Sequence, residues 1–175
     1  EAAFLAMRAN QSPGLPRMAL AMEAAIMNLA AGRPVDQLRA SAAQLARDTP
    51  GERANDSSPS LVRVLLAVAT DDGTGLDGAA GSMLPEVRAA AAAAQRERAG
   101  DLAGAAAAWH QARALAIDAR LAIVEDLTLA RLARARGDRA GVAAACARVL
   151  RPPRPVEAWG PAAPRCRAWL AEAPP

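Results

Sequence analysis

Apolar residues recur along the chain at helical spacing, in short segments that end at glycine or proline. Within residues 17–31, Met18, Met22, Ile26 and Leu29 lie four, four and three positions apart. That spacing places all four side chains on one face of a helix, since an α-helix turns once every 3.6 residues. Gly32 follows directly, and glycine readily adopts the left-handed conformation that ends a helix. The pattern predicts one amphipathic helix over residues 17–31.

Similar segments predict a chain of short helices. They cover residues 4–10, 35–49, 59–70, 82–99, 101–116, 118–136, 138–150 and 165–172. The run at residues 61–68 is also compatible with a buried strand, and its helical surroundings favour a helix. Ser58 and Pro59 are typical of a helix N-cap and first helical position. Polar residues 51–58 and the glycine-rich residues 71–81 predict loops.

Composition strengthens the helical interpretation. Fifty of the 175 residues are alanine, the residue that favours a helix most strongly because it has no rotamer entropy to lose. Alanine is too small to fill a thick core, so the helices must approach closely and share a thin interior. The fold class predicted is therefore all-α.

The turns between the predicted helices repeat. Gly100-Asp101 and Gly137-Asp138 each end one helix and begin the next, with the aspartate as N-cap, and they lie 37 residues apart. Gly32 precedes Gly100 by 68 residues, which is two periods of 34. A period of 34 is typical of helix–turn–helix repeats.

The residues after these turns make the chain resemble the tetratricopeptide-repeat family. A small, a large and a small residue follow at spacings of four and three, with proline near the end of the unit. Ala105, Trp109 and Ala112 match this pattern. The same spacing, with residues of other sizes, is kept by Val142, Cys146 and Val149 before Pro152 and by Leu38, Ala42 and Leu45 before Pro50. The resemblance implies antiparallel helical hairpins stacked as an α-solenoid over residues 1–155, irregular around 51–81. Residues 156–175 would form a proline-rich segment and a capping helix.

The resemblance implies a scaffold for protein–protein interaction. In such stacks the first helix of each hairpin lines the inner face. The residues expected to contact a partner there are Arg88, Glu125, Thr128, Arg131 and Arg134. Residues 88–175 hold fourteen arginines and eight acidic residues, and residues 131–154 hold seven arginines and one acidic residue. We therefore expect a protein or peptide partner, of acidic character, because arginine pairs with carboxylates in a planar fork.

Two other classes of function compete with this interpretation. The chain ends interrupt the helical pattern, so the chain is expected to be a piece of a larger protein, and it could be a regulatory or sensor domain attached to an enzyme or transcription regulator. Nucleic-acid binding through the basic run is disfavoured by the scarcity of aromatic residues.

Basic residues that are all arginine, with abundant alanine and proline, indicate a bacterial source. The expected location is cytoplasmic, because no apolar run of 18 residues predicts a membrane span. The oligomeric state stays open.

No combination of residues predicts an enzyme, a cofactor or a metal site. His110 is the one histidine and is expected at the surface. Gly73-x-Gly75-x-x-Gly78 matches a dinucleotide-binding pattern, yet the chain offers no further strands for the required sheet. Asp71, Asp72 and Asp77 lack the ligand spacing of a calcium loop. Cys146 is expected to be buried, and whether it pairs with Cys166 stays open.

Overall fold

The computed structural model describes residues 17–48, 57–74, 76–116, 118–151 and 162–172. All regular structure in these ranges is helical. The helices are α1 (Arg17–Ala31), α2 (Val35–Asp48), α3 (Ser57–Thr70), α4 (Leu76–Ala80), α5 (Pro85–Arg98), α6 (Leu102–Leu115), α7 (Ala119–Ala135), α8 (Arg139–Leu150) and α9 (Ala162–Ala171). The all-α prediction is confirmed for this part of the chain.

Most predicted helix bounds agree with the structure to within about three residues. The apolar run at residues 61–68 lies in α3 and is almost entirely buried, so the helical alternative is confirmed there. Two loop predictions need correction. The glycine-rich segment contains the short helix α4, whose Leu76 is buried against the core, and α3 begins at Ser57 inside the segment predicted as polar loop. The predicted helix at residues 4–10 lies outside the described residues.

The three glycine turns are built alike. Gly32, Gly100 and Gly137 all have positive φ angles, of 62°, 80° and 69°. After Gly100 and Gly137 the next residue is an N-cap: the Asp101 and Asp138 carboxylates accept hydrogen bonds from the amides of Gly104 and Gly141, both at 2.8 Å. Each turn therefore satisfies free backbone groups of two consecutive helices and reverses the chain direction.

Reversal at these turns produces helical hairpins, and alanine lies at their contacts. The most extensive contact between helices is that of α5 with α6, followed by α7 with α8 and α1 with α2. Small side chains allow the α5 and α6 backbones to approach closely. The fully or nearly fully buried alanines of this hairpin are Ala89, Ala90, Ala91, Ala93, Ala94, Ala105, Ala106 and Ala112.

Helix α7 lies at the centre of the molecule. It packs against its hairpin partner α8 and against α6, as expected for neighbouring repeats, and it also contacts α1, α3 and α9. Ten consecutive residues, 121–130, are buried as a result. In an open solenoid the first helix of the chain would not reach α7. The described helices instead close on themselves, so the inner face is largely covered by the chain's own α1 and α3.

The alanine contact between α5 and α6 predicts a strong difference between two similar substitutions. Ala90 on α5 is fully buried, whereas Ala107 on α6 is exposed. Ala90→Leu should lower the free energy of unfolding by about 1–3 kcal/mol, because added methylenes force apart closely packed helices. Ala107→Leu should change it by less than about 0.5 kcal/mol. Chemical denaturation followed by circular dichroism measures both, and equal effects would contradict close packing in this hairpin.

Candidate functional site

The structure places the five residues expected to contact a partner in different environments. Arg88 and Arg134 are exposed and Arg131 is half-buried, whereas Glu125 and Thr128 are buried. Thr128 donates its hydroxyl hydrogen to the Val124 carbonyl, 2.9 Å away on the same helix. The expectation that Glu125 and Thr128 are accessible needs correction, because neighbouring helices pack over the face of α7 that a solenoid would leave open.

Much of the basic run is paired within the fold. Arg131 on α7 contacts Glu97 on α5 through two nitrogens, at 2.6 and 2.8 Å. Arg134 pairs with Glu172 beside α9, and Arg148 on α8 reaches the fully buried Asp126 at 2.7 Å. Arg131 and Arg134 connect α7 to segments outside its own hairpin, and Arg148 connects α8 to α7 within the hairpin. Their charge is therefore largely neutralised and less available to a partner than the sequence indicates.

Asp126 is held by two helices at once. Arg148 of α8 donates to one of its oxygens, and Arg113 of α6 lies 3.2 Å from the other. Asp126 has no exposed surface, and both arginine side chains are mostly covered. Two guanidinium groups can compensate the cost of burying one carboxylate, so this cluster fixes the register of α6, α7 and α8.

Glu125 has no comparable compensation. Its side chain is fully buried and neither carboxylate oxygen has a hydrogen-bond partner among the described residues. Burial, together with the nearby Glu86 carboxyl on α5, raises the pKa of Glu125 to about 8, against the opposing effect of Arg113. Burial also raises the pKa of Glu86. At neutral pH Glu125 is therefore mostly a neutral acid inside the protein.

A concave surface is formed beside α7, and we call it the inner cleft. It has a volume of about 200 Å³ and lies where α1, the start of α2, α3, α7 and α9 meet. Its floor is apolar and includes Leu29, Leu38, Leu65 and Leu127. Side chains from three separate hairpins contribute to that floor, so the cleft exists only because the helices close on themselves.

Three arginines border the inner cleft: Arg33, Arg131 and Arg165. Arg33 follows Gly32 in the first turn, Arg131 is on α7, and Arg165 is on α9. Of the five residues expected from the sequence to contact a partner, only Thr128 and Arg131 line this cleft. Arg33 and Arg165 were not expected, since they lie 132 residues apart and no local pattern links them.

Arg165 is held in place by the end of α1. Its guanidinium donates to the carbonyls of Leu29 and Ala30, at 2.9 and 3.4 Å, and lies 5.0 Å from the centre of the Trp169 ring. Gly32 has a φ of +62°, which disfavours other residues, and a Cβ atom there would also come within 2.8 Å of this guanidinium and displace it. Arg165 thus caps the free carbonyls of α1 with a positive charge, as helix C-termini favour.

Positive charge at the inner cleft exceeds negative charge. Arg131 is paired with Glu97, but neither Arg33 nor Arg165 forms an ion pair with any of the described residues. Burial lowers the pKa of Arg165, and the charge of Arg131 lowers it further. A partly buried cation with no carboxylate beside it is costly, and a bound anion would remove part of that cost.

The two cysteines lie next to each other where α8 and α9 pack together. Cys146 on α8 and Cys166 on α9 are both fully buried free thiols. Burial raises the pKa of both, and a hydrogen bond between the two thiols raises that of Cys166 further. The expectation that Cys146 is buried is confirmed. Thiols that are covered and protonated are poor nucleophiles, so this pair packs helices together rather than forming a reactive site.

Other chemistry is not assembled in the part of the chain that the structure describes. No group of histidine, cysteine or acidic side chains there could hold a metal ion. His110 is exposed on α6, as expected. The helices in these ranges are too short or too polar to cross a membrane. Comparison with protein families, with curated proteins and with solved structures gives no match.

The buried Glu125 predicts a distinctive dependence of stability on pH. Its pKa is raised in the folded protein, so unfolding takes up no proton at low pH and releases one as the pH rises. The free energy of unfolding should therefore fall between about pH 4.5 and pH 8, by up to about 5 kcal/mol for a shift of this size. Glu125→Gln should remove most of that fall, because the amide stays neutral.

Chemical denaturation at a series of pH values measures this effect. Glu172→Gln is the matched control, since Glu172 is exposed and its loss should leave the fall between pH 4.5 and 8 in place. At pH 8.5 the Glu125→Gln protein should be more stable than the wild type. Parallel pH profiles for wild type and Glu125→Gln would show that Glu125 is ionised in the folded protein.

Proposed function

We propose that the chain is a protein-binding module of helical hairpins whose partner carries acidic side chains. The observation that carries the proposal is the inner cleft, where no carboxylate of the described residues pairs with Arg33 or Arg165 and an apolar floor lies below. Uncompensated guanidinium groups attract carboxylates, and an apolar floor adds binding energy through burial of a partner's side chain. Recognition rather than catalysis is what this combination supports.

The relation between α5 and α7 supports a tetratricopeptide-like arrangement of these hairpins. Glu97 and Arg131 form an ion pair and lie 34 residues apart in the sequence, which equals one period of that family. The buried sets Ala105, Trp109, Ala112 and Val142, Cys146 occupy matching positions after the glycine turns. We therefore propose that the hairpins are repeats of one unit, here closed around α7 instead of stacked in an open series.

Nucleic-acid binding receives less support. Sequence-independent binding of that kind needs a continuous row of free cations along a groove, together with aromatic side chains for base stacking. Arg131, Arg134 and Arg148 are instead tied to carboxylates of neighbouring helices. The exposed face of Trp169 is shared with the Arg165 guanidinium.

A random peptide-display library selected against the immobilised chain tests the proposal. We expect enrichment of acidic peptides, lost when Arg33 is changed to Glu. The Arg33 side chain is exposed and has no ion-pair partner among the described residues, so Arg33→Glu should bind less without unfolding. Arg47→Glu is the matched control, because Arg47 is exposed on α2 and does not line the inner cleft.

Melting temperatures of the two variants establish that both stay folded. Enrichment that Arg33→Glu abolishes and Arg47→Glu preserves supports binding at the inner cleft. No enrichment after repeated rounds would contradict a protein-binding function, and enrichment that survives Arg33→Glu would place it elsewhere on the surface.

A further inference from the structure

The size of the inner cleft limits what it can hold. Its volume of about 200 Å³ is below the roughly 300–1,000 Å³ of typical small-molecule and cofactor sites. A nucleotide or a fused-ring cofactor is too large for it. A single aliphatic side chain from a peptide is of suitable size, and the floor of Leu29, Leu38, Leu65 and Leu127 is of suitable polarity.

The arginines at the rim of the cleft favour a ligand that also carries a negative charge. Val35 is 42% exposed beside Arg33, so an apolar surface continues outward from the floor to the rim. Arg165 faces the same cleft with its charge uncompensated and its position fixed by the carbonyls of α1. A carboxylate at the rim would lie between Arg33 and Arg165 and would also reduce the repulsion between Arg165 and Arg131.

We infer that the inner cleft recognises an acidic side chain next to an aliphatic one in the partner's polypeptide. The aliphatic side chain enters the cleft and the carboxylate pairs with Arg33 and Arg165. Arg33 and Arg165 border the cleft and the leucines form its floor, so the carboxylate and the aliphatic side chain contact the protein at different depths. This inference rests on the proposed protein-binding function and specifies which residues of a partner the cleft selects.

A matched set of four peptides tests the inference. The probe is a fluorescein-labelled, C-terminally amidated peptide Gly-Ser-Leu-Glu-Leu-Ser-Gly. Its companions replace Glu by Gln, by phosphoserine, or both Leu residues by Ala. Fluorescence anisotropy should show at least a tenfold loss of affinity for the Gln peptide and for the Ala peptide, because each lacks one of the two required groups.

Protein variants locate the effect. Arg33→Gln and Arg165→Gln should each lower the affinity for the parent peptide at least fivefold. The affinity for the Gln peptide should stay unchanged. Arg167→Gln is the control, since Arg167 is exposed on the same helix α9 and does not line the cleft. If Arg165→Gln unfolds the protein through loss of its contacts with α1, Arg33→Gln alone still decides the result.

Several outcomes would overturn the inference. Equal affinity for the Glu and Gln peptides, or for the Leu and Ala peptides, would show that the cleft does not read this pair of residues. Stronger binding of the phosphoserine peptide would assign the site to phosphate, and displacement of the probe by single-stranded oligouridylate would assign it to nucleic acid. If the display selection still enriches peptides that depend on Arg33, the protein-binding proposal survives each of these failures.

Discussion

The close approach that alanine allows between helices is the constraint on which the rest of the structure depends. Helices faced with small side chains can lie close together, so several of them fit around one central helix, α7. Larger residues at the buried alanine positions of α5 and α6 would push these two helices apart. The dominance of alanine in this contact therefore determines how closely the hairpin packs.

Enclosure of α7 has an electrostatic consequence. Polar residues that would face water in an open stack become buried. Two of them, Asp126 and Glu125, lie in different electrostatic environments. Asp126 is paired with Arg113 and Arg148, whereas burial raises the pKa of Glu125 to about 8, so that it is mostly neutral at pH 7. One carboxyl group fixes the register of three helices, and its sequence neighbour makes the stability of the protein sensitive to pH.

Local features of the fold could be predicted from the sequence, because they depend on residues close together in the chain. The left-handed glycines at 32, 100 and 137 and the two aspartate caps are of this kind, and the structure confirms them. The helix α4 could not be anticipated from its glycine-rich composition, since it is stabilised by burying Leu76 against other helices.

The candidate site was harder to predict, because it is made by contacts between distant parts of the chain. Thr128 and Arg131, which the resemblance marked as contact residues, line the inner cleft, but the sequence carried no information about the helices that cover Glu125. Nor does it indicate that Arg165 caps α1 or that Arg33 and Arg165 line the same cleft. The excess of arginine in residues 131–154 indicated a basic surface. Three of these arginines, Arg131, Arg134 and Arg148, instead form ion pairs with acidic residues of other helices or of the segment after α9.

The most direct test of the closed arrangement is the set of methyl–methyl nuclear Overhauser effects of α1. If α1 packs on α7, methyl groups of Ile26 and Leu29 should show effects to methyl groups of α7, such as those of Val124 and Leu127. Effects from α1 confined to α2 and α3 would indicate an open stack. In that case α7 would be uncovered, and the inner cleft would not exist in solution.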